Sequence, residues 1–211
     1  MIKTIVFDFG GVIITLDPQQ AVERFRQLGL ADAEKKLDPY TQQGIFGDLE
    51  LGKITGEEFR QEFSQLVGHE VTYEECRHAW LGYCKELPQR NLDVLKKLKQ
   101  EGYRLILLSN TNEFMQSWAD SPQFDGQGNG IRHYFDAIYR SYEVKMMKPA
   151  DMFFRHVLTQ EQLFPHETLF VDDGPRNVAV ASQIGFLTYC PANGADWTKE
   201  IYEFLEVKNK D

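Results

Sequence analysis

Cysteine, targeting signals and long apolar runs are scarce or missing in this sequence. Its three cysteines, Cys76, Cys84 and Cys190, form no Cys-x-x-Cys pair and no Cys/His spacing typical of a zinc site. No apolar run approaches the ~20 residues that cross a bilayer, and the first residues lack the basic and apolar regions of a signal peptide. These absences argue against a disulfide framework, a zinc site and a membrane span. We therefore expect a protein of the reducing cytoplasm.

Positive charge is also scarce. The 211 residues include 23 Lys+Arg against 32 Asp+Glu, which gives a formal net charge of -9. This balance disfavours nucleic acid and anionic membranes as partners, so we expect neither. A small phosphorylated metabolite stays compatible with it, because a few local basic groups are enough to bind a phosphate. The length suits one domain with an insertion, in a monomer or a homodimer.

Short apolar runs predict the strands of a buried parallel sheet. Four of them are rich in β-branched or aromatic residues, at 2–7, 104–108, 137–140 and 168–171, and a fifth lies at 186–190. Amphipathic helical patterns occupy residues 91–100, 152–158, 178–184 and 197–205. Strands that alternate with helices form right-handed βαβ units. The sequence therefore predicts an α/β three-layer sandwich with a parallel, Rossmann-like sheet.

The alternation is interrupted after the first strand. Residues 18–97 show helical periodicity without a strand pattern, with helices expected at 20–28, 33–40, 55–67 and 73–83. Thr55 and Glu58 have the spacing of a capping box, which marks the start of the third of these helices. We predict an inserted α-helical domain over residues 17–89, with residues 1–16 and 90–211 forming the core.

Polar residues follow four of the predicted strands. In an open parallel sheet, ligands bind beyond the carboxyl ends of the strands, so these residues are expected to converge. They are Asp8, Ser109, Asn110, Lys148, Asp172 and Asp173. Each one taken alone has an ordinary structural explanation, such as a turn, a helix cap or a surface lysine. Together they form the set of groups that phosphoryl transfer requires.

The acidic members of this set point to a metal ion. Asp8, Asp172 and Asp173 would repel one another at one sheet edge unless a cation lay among them. Mg²⁺ suits such hard oxygen ligands and would also bridge to a substrate phosphate. Ser109 and Asn110 offer hydroxyl and amide donors to phosphate oxygens, and Lys148 offers a positive charge.

The order of these motifs resembles that of the haloacid dehalogenase (HAD) superfamily. The stretch Phe-Asp-Phe-Gly-Gly-Val at 7–12 resembles its first motif, Leu-Ser-Asn at 108–110 the second, Lys-Pro at 148–149 the third and Phe-Val-Asp-Asp at 170–173 the fourth. The helical insertion is similar to the small C1-type cap. The first motif and Ser-Tyr-Glu-Val at 141–144 are most similar to the branch of sugar-phosphate phosphatases and the N-terminal phosphatase domain of soluble epoxide hydrolase.

This resemblance implies a Mg²⁺-dependent phosphatase that hydrolyses a small phosphorylated metabolite, such as a sugar phosphate, through an aspartyl-phosphate. The implied catalytic residues are Asp8, the nucleophile, and Lys148. The implied substrate-binding residues are Ser109, Asn110 and Lys148. The implied metal ligands are Asp8, the main-chain carbonyl of Gly10, Asp173, and Asp172 either directly or through another ligand. A glycine-rich turn at 44–47, with Asp48, is expected to present residues to the leaving group.

Position 10 departs from the pattern of the family. Its phosphatases usually carry a second aspartate two residues after the nucleophile, where it protonates the leaving group, but this chain has Gly10. Loss of a general acid typically costs about 10²–10⁴-fold in rate, so we expect slow turnover, a good leaving group or another proton donor. Asp17 is the nearest spare carboxylate. Two alternatives remain open: a phosphate-binding regulatory protein without turnover, and a metal-free dehalogenase, although that branch carries a tyrosine at this position.

Overall fold

The fold is built on a central parallel sheet, as the sequence predicts. The computed structural model describes residues 1–37 and 44–210. Its strands are β1 (Thr4–Phe7), β2 (Thr15–Leu16), β3 (Cys84–Glu86), β4 (Arg104–Ser109), β5 (Ala137–Arg140), β6 (Thr168–Val171) and β7 (Leu187–Tyr189). Five of them form one sheet in the order β5-β4-β1-β6-β7, with every neighbouring pair parallel. This order places β1 at the centre, between β4 and β6.

Helices cover both faces of the sheet and fill the insertion. They are α1 (Pro18–Gln27), α2 (Ala33–Lys36), α3 (Ile45–Glu50), α4 (Gly56–Val67), α5 (Tyr73–Trp80), α6 (Gln89–Gln100), α7 (Glu113–Ala119), α8 (Ser141–Val144), α9 (Asp151–Gln160), α10 (Pro175–Ile184) and α11 (Glu200–Lys210). Over the described residues, no helix combines the length and the apolar character that a membrane span needs.

Alternating side chains of the central strands enter two separate cores. Ile5 and Phe7 of β1 join the larger cluster, which includes Leu95 of α6, whereas Val6 joins a smaller one with Phe153 of α9. Both faces of the sheet are therefore buried, and each strand reads as a continuous apolar run. The predicted α/β three-layer architecture is confirmed.

The insertion holds helices α1 to α5 and one short strand that the sequence did not reveal. β3 pairs antiparallel with β2, so the expectation of no strand between residues 18 and 97 is wrong. The strand consists of Cys-Lys-Glu, whose two charged residues give no apolar pattern, and it exists because β2 supplies its hydrogen-bond partners. The capping box is confirmed: Thr55 N donates to Glu58 Oε2 at 2.7 Å and Glu58 N to Thr55 Oγ1 at 3.2 Å.

Two other boundaries differ from the prediction. α2 ends at Lys36, and residues 38–40 of the helix expected at 33–40 lie outside the described residues. The predicted glycine-rich turn at 44–47 is instead the start of α3, with Phe46 and Leu49 buried one turn apart. Burial of this apolar pair outweighs the low helix propensity of Gly47.

Aromatic rings anchor α3 in the insertion. The rings of Phe25, Phe46, Phe59, Phe63 and Trp80 are buried and contact one another at centroid distances of 5.3 to 6.2 Å. Such edge and tilted contacts among large apolar side chains contribute beyond the area that they bury. They hold α3 firmly, and with it Glu50, one turn after Phe46.

Candidate active site

Asp8 lies at the carboxyl end of the central strand. Its main-chain N–H donates to the Val171 carbonyl at 2.8 Å, which extends the β1–β6 ladder by one residue. Its Oδ1 accepts hydrogen bonds from Phe9 N at 2.6 Å and from Lys148 Nζ, 2.9 Å away. With its side chain 13 % exposed, Asp8 opens onto a cavity while its carboxylate is already oriented.

Lys148 lies between two carboxylates. Its Nζ is 2.9 Å from Asp8 Oδ1 and 2.6 Å from Asp172 Oδ2, and both the Lys148 and Asp172 side chains are buried. Burial by itself lowers the pKa of an ammonium group. The attraction of Asp172 and Asp8 outweighs that effect and raises the pKa of Lys148 above its ordinary value. Lys148 is therefore a cation held in direct contact with Asp8.

Two asparagines fix this charged pair, and sequence reasoning assigned that task to neither. Asn110 Nδ2 donates to the Lys148 carbonyl, and Lys148 N donates to Asn110 Oδ1, both at 2.8 Å. Asn177 Nδ2 donates to Asp172 Oδ1 at 3.0 Å, and Gly174 N donates to the same oxygen at 2.8 Å. The signal for Asn177 was its place in the first turn of α10, close after the acidic motif.

Three carboxylates converge on one point, as the sequence predicts. Asp8, Asp172 and Asp173 each offer an oxygen, and these atoms lie within 4.8 Å of one another. Burial raises the pKa of Asp8; Lys148 opposes this shift, and Asp172 and Asp173 add to it. Burial, assisted by Asp172, also raises the pKa of Asp173 to about 6. A cluster of hard oxygen donors with this unrelieved repulsion fits Mg²⁺.

Gly11 brings the backbone close to this cluster. Its φ is +76°, and a Cβ at this position would overlap the Asp173 carboxylate. A side chain is therefore excluded both by the left-handed backbone and by the neighbouring ligand oxygen.

Two neighbouring recesses lie beyond the carboxyl end of β1 and share Gly10, Leu16 and Asn110 in their walls. The first, here called the charged recess, is also lined by Asp8, Pro18, Lys148, Asp173, Gly174, Asn177 and Asn193. The second, the cap recess, is also lined by Phe9, Ile14, Glu50, Trp80, Tyr83, Ser109, Thr111 and Met115. A phosphate bound near Asp8 would thus have its organic part in or near the cap recess.

The predicted substrate-binding residues lie around these recesses. Ser109 is buried in the wall of the cap recess, and its Oγ makes only a long contact of 3.3 Å with the Asn110 carbonyl. Asn110 lines both recesses, although its amide is already bonded to the main chain of Lys148. Nδ2 carries a second hydrogen that can still donate to a ligand.

Asp17, the spare carboxylate, and Asp48, expected beside the leaving group, lie elsewhere. Asp17 caps α1, where its Oδ1 accepts from Gln20 N at 3.1 Å, and Asp48 accepts from Lys53 Nζ at 2.8 Å. Neither lines the charged recess or the cap recess. Glu50, which sequence reasoning missed, does line the cap recess.

Position 10 has little free space for a side chain. A Cβ on Gly10 would lie 3.0 Å from Leu16 Cδ1. Leu16 therefore occupies the region that the usual aspartate of the family would enter, and it would have to move to admit one.

Comparison with known proteins agrees with this geometry. Residues 2–185 match the model of the haloacid dehalogenase-like hydrolases. A D-ribitol-5-phosphate phosphatase of Bacteroides thetaiotaomicron is 47 % identical over 205 residues, which cover 97 % of this chain and 99 % of that protein. A predicted HAD-like family hydrolase from Porphyromonas gingivalis superposes with a TM-score of 0.93 at 42 % identity, covering 97 % of this chain and 98 % of that one.

A third protein adds ligands to the comparison. A HAD family enzyme of Bacteroides thetaiotaomicron, solved in complex with magnesium and inorganic phosphate, superposes with a TM-score of 0.85 at 35 % identity. The match covers 95 % of this chain and 99 % of that one. On these matches and on the four motifs that meet around Asp8, the chain belongs to the haloacid dehalogenase-like hydrolases.

Proposed function

We propose that this protein is a Mg²⁺-dependent phosphatase that hydrolyses a small phosphorylated polyol or sugar through an aspartyl-phosphate. The observation that carries the proposal is the arrangement of Asp8, Asp172 and Asp173, whose oxygens lie within 4.8 Å of one another beside Lys148. This arrangement provides a nucleophile, an anion-neutralising cation and a set of metal ligands at one strand end.

Asp8 is the proposed nucleophile. One oxygen of its carboxylate attacks phosphorus and forms a bond to it as the bond from phosphorus to the leaving-group oxygen breaks. Water then attacks the aspartyl-phosphate, the bond between phosphorus and Asp8 breaks, and inorganic phosphate leaves. The hydrogen bonds of Phe9 N and Lys148 Nζ to Asp8 Oδ1 hold this oxygen in place. Oδ2 is thereby the oxygen left to attack.

Asp8, Asp173 and the Gly10 carbonyl are the proposed ligands of Mg²⁺. Asp172 lies at the same point, but Lys148, Asn177 and Gly174 already bond to its two oxygens, so we assign it to orienting Lys148 as well as to the metal site. When bound, Mg²⁺ supplies positive charge that screens the repulsion between the attacking carboxylate and the phosphate.

The phosphate oxygens are proposed to bind Lys148, Ser109 and Asn110. Lys148 supplies the charge, since its ammonium is held at the rim of the charged recess next to Asp8. Ser109 Oγ can rotate from its long contact with the Asn110 carbonyl, and Asn110 Nδ2 has a second hydrogen to donate. Donors placed before the substrate arrives stabilise the charge of the transition state without reorganising.

D-Ribitol 5-phosphate, the substrate of the relative at 47 % identity, is the first candidate substrate. The cap recess mixes apolar walls, such as Trp80 and Met115, with the polar groups of Ser109, Thr111 and Glu50, which suits a short chain of hydroxyl-bearing carbons. We place the protein in the cytoplasm, in keeping with its three free cysteines.

Residues 17–89 are the proposed cap, on a core of residues 1–16 and 90–211. The β2–β3 pair supports this division, because it joins the two ends of the helical insertion. Two side-chain hydrogen bonds also join the cap to the core: Tyr73 Oη donates to Glu113 Oε1 and Arg77 Nε donates to Ser117 Oγ, each at 2.9 Å.

Phosphate release from a panel of phosphorylated sugars and polyols, including D-ribitol 5-phosphate, tests the proposal. We expect turnover by the wild-type enzyme that requires Mg²⁺, stops with EDTA and is absent in Asp8→Asn. Asp151→Asn is the matched control, because that carboxylate is exposed and pairs with Arg155. Normal turnover by Asp8→Asn would contradict the proposal, and tight binding without hydrolysis across the panel would favour a regulatory protein.

A further inference from the structure

Glu50 lines the wall of the cap recess and has no partner for its carboxyl group among the described residues. It ends α3 and is half-buried. Over residues 1–37 and 44–210, no group donates a hydrogen bond to its carboxyl or forms an ion pair with it. A carboxylate placed this way is destabilised, because burial removes part of its hydration and no described group replaces it.

The surroundings of Glu50 bring the pKa of its carboxyl group close to neutral pH. Burial raises its pKa from 4.5 to about 7. α4 and α8 pack against α3, but their charged residues Glu57, Glu58, Arg60, Glu62 and Glu143 make no contribution to this shift. A group with a pKa near the working pH can both give and take a proton, which is the property that a general acid and base requires.

The position of Glu50 relates it to the missing aspartate. Glu50 and Gly10 line the same recess, and Leu16 lies between the two recesses, within reach of position 10. A carboxyl reaching this recess from the cap therefore faces the space that a side chain at position 10 would enter from the core. The two origins differ, but both lie along the recess proposed for the organic part of the substrate.

The backbone just after α3 contacts the core at Gly52. Gly52 has a φ of +68°, and a Cβ there would overlap the Tyr142 carbonyl oxygen. The backbone two residues after Glu50 is thus in direct contact with the core helix α8. This contact fixes the height of Glu50 above the sheet.

We propose that Glu50 is the general acid and base of this enzyme, in place of the aspartate that Gly10 replaces. The inference rests on the phosphatase function proposed above and adds a catalytic residue to it. As the bond from phosphorus to the leaving oxygen breaks, that oxygen takes the proton of the Glu50 carboxyl. In the second step the Glu50 carboxylate takes a proton from the attacking water. The bond between phosphorus and Asp8 breaks, the Asp8 carboxylate is regenerated, and inorganic phosphate leaves.

Two esters with different leaving groups test this assignment in Glu50→Gln. One is the alkyl phosphate that the wild-type enzyme turns over fastest, whose alkoxide needs a proton to leave. The other is p-nitrophenyl phosphate, whose phenolate leaves without one. Asp48→Asn, on the same helix but paired with Lys53, is the matched control and should keep wild-type turnover of both.

With the alkyl phosphate, we expect Glu50→Gln to lose about 10²–10⁴-fold in the first turnover. With p-nitrophenyl phosphate, we expect a burst of p-nitrophenol equal in amount to the enzyme, released at about the wild-type rate. A steady state slowed by about 10²–10⁴-fold should follow, because water activation still lacks its base. A merely structural role for Glu50 would slow the first turnover of both esters equally.

A Gly10→Asp substitution in the Glu50→Gln background provides the second variant. When the Leu16 side chain moves aside, this substitution restores a carboxyl group to the same region. We expect the first turnover of the alkyl phosphate to be faster in the double variant than in Glu50→Gln alone.

Equal slowing of both esters, or unchanged rates in Glu50→Gln, would overturn the assignment and leave the phosphatase function standing. A wild-type enzyme that cleaves p-nitrophenyl phosphate but no alkyl phosphate would do the same. A wild-type enzyme that cleaves neither ester with Mg²⁺ contradicts the phosphatase function itself, and the role of Glu50 with it.

Discussion

The charged recess and the cap recess meet at Gly10, Leu16 and Asn110, but they are stabilised in different ways. In the charged recess nearly every polar group has a protein partner: Lys148 bonds to two carboxylates and Asn110 bonds twice to the Lys148 main chain. The cap recess is mostly apolar, and the Glu50 carboxyl in its wall has no partner among the described residues.

This difference separates the tasks of the two regions. The charged recess is organised before the substrate arrives, which is what transition-state stabilisation requires. The cap recess is proposed to bind the organic part of the substrate, and Glu50, whose pKa burial raises, is proposed to act on the leaving oxygen there. Substitutions in the first region should therefore change stability and metal binding strongly, whereas those in the second should change the chemistry of the leaving group.

The largest stability loss is expected from Lys148→Met. It leaves the buried Asp172 carboxylate without its cation, at a cost of about 3–5 kcal/mol in the free energy of unfolding. Lys3→Met removes the exposed ion pair with Glu167 and should cost at most about 1 kcal/mol. Denaturant unfolding of both variants measures the contrast. Equal losses in the free energy of unfolding would show that the buried Lys148 stabilises the protein no more than an exposed lysine in an ion pair does.

A smaller loss is expected from Gly11→Ala, which tests the metal site. Gly11 and Gly68 both have positive φ, at +76° and +79°, but only Gly11 would bring a Cβ onto Asp173. Alanine at either position should cost roughly 1–2 kcal/mol through backbone strain. Only Gly11→Ala should also lose the rise in melting temperature that Mg²⁺ gives the wild-type protein. A full Mg²⁺ response in Gly11→Ala would place the ion away from Asp173.

The smallest effect is expected from Glu50→Gln and depends on pH. Because burial raises the pKa of Glu50 from 4.5 to about 7, the protein is most stable with respect to this group below pH 4.5 and loses stability as the pH rises from 4.5 through 7. Glutamine does not titrate. The variant should therefore melt a few degrees above the wild-type protein at about pH 8, and close to it at about pH 5. The same difference in melting temperature between the variant and the wild-type protein at both pH values would contradict a raised pKa of Glu50.

The charged recess and the cap recess also differ in how much of each the sequence predicts. Asp8, Lys148, Asp172 and Asp173 could be placed because each follows an apolar strand, and a parallel sheet brings strand ends together. Asn110 was assigned to the substrate, yet its first bonds are to Lys148, because only the folded loops bring those two segments face to face.

The sequence patterns predict the structure around the cap recess less well. Glycines at 44 and 47 favoured a turn, but burial of Phe46 and Leu49 makes this segment a helix, on which Glu50 and not Asp48 lines the cap recess. β3 was missed because a strand of three residues with two charges depends on its partner strand. Helical periodicity predicts which residues are buried, whereas the height of a helix above a site depends on contacts such as Gly52 with Tyr142.

Acid-quenched single turnover with a ³²P-labelled substrate, followed by peptide mapping, tests the central claim most directly. The wild-type enzyme with Mg²⁺ should carry phosphate on the peptide that contains Asp8, released by hydroxylamine as expected of an acyl phosphate, and Asp8→Asn should carry none. Label on another residue, or turnover by Asp8→Asn at the wild-type rate, would contradict the assignment of Asp8 as the nucleophile.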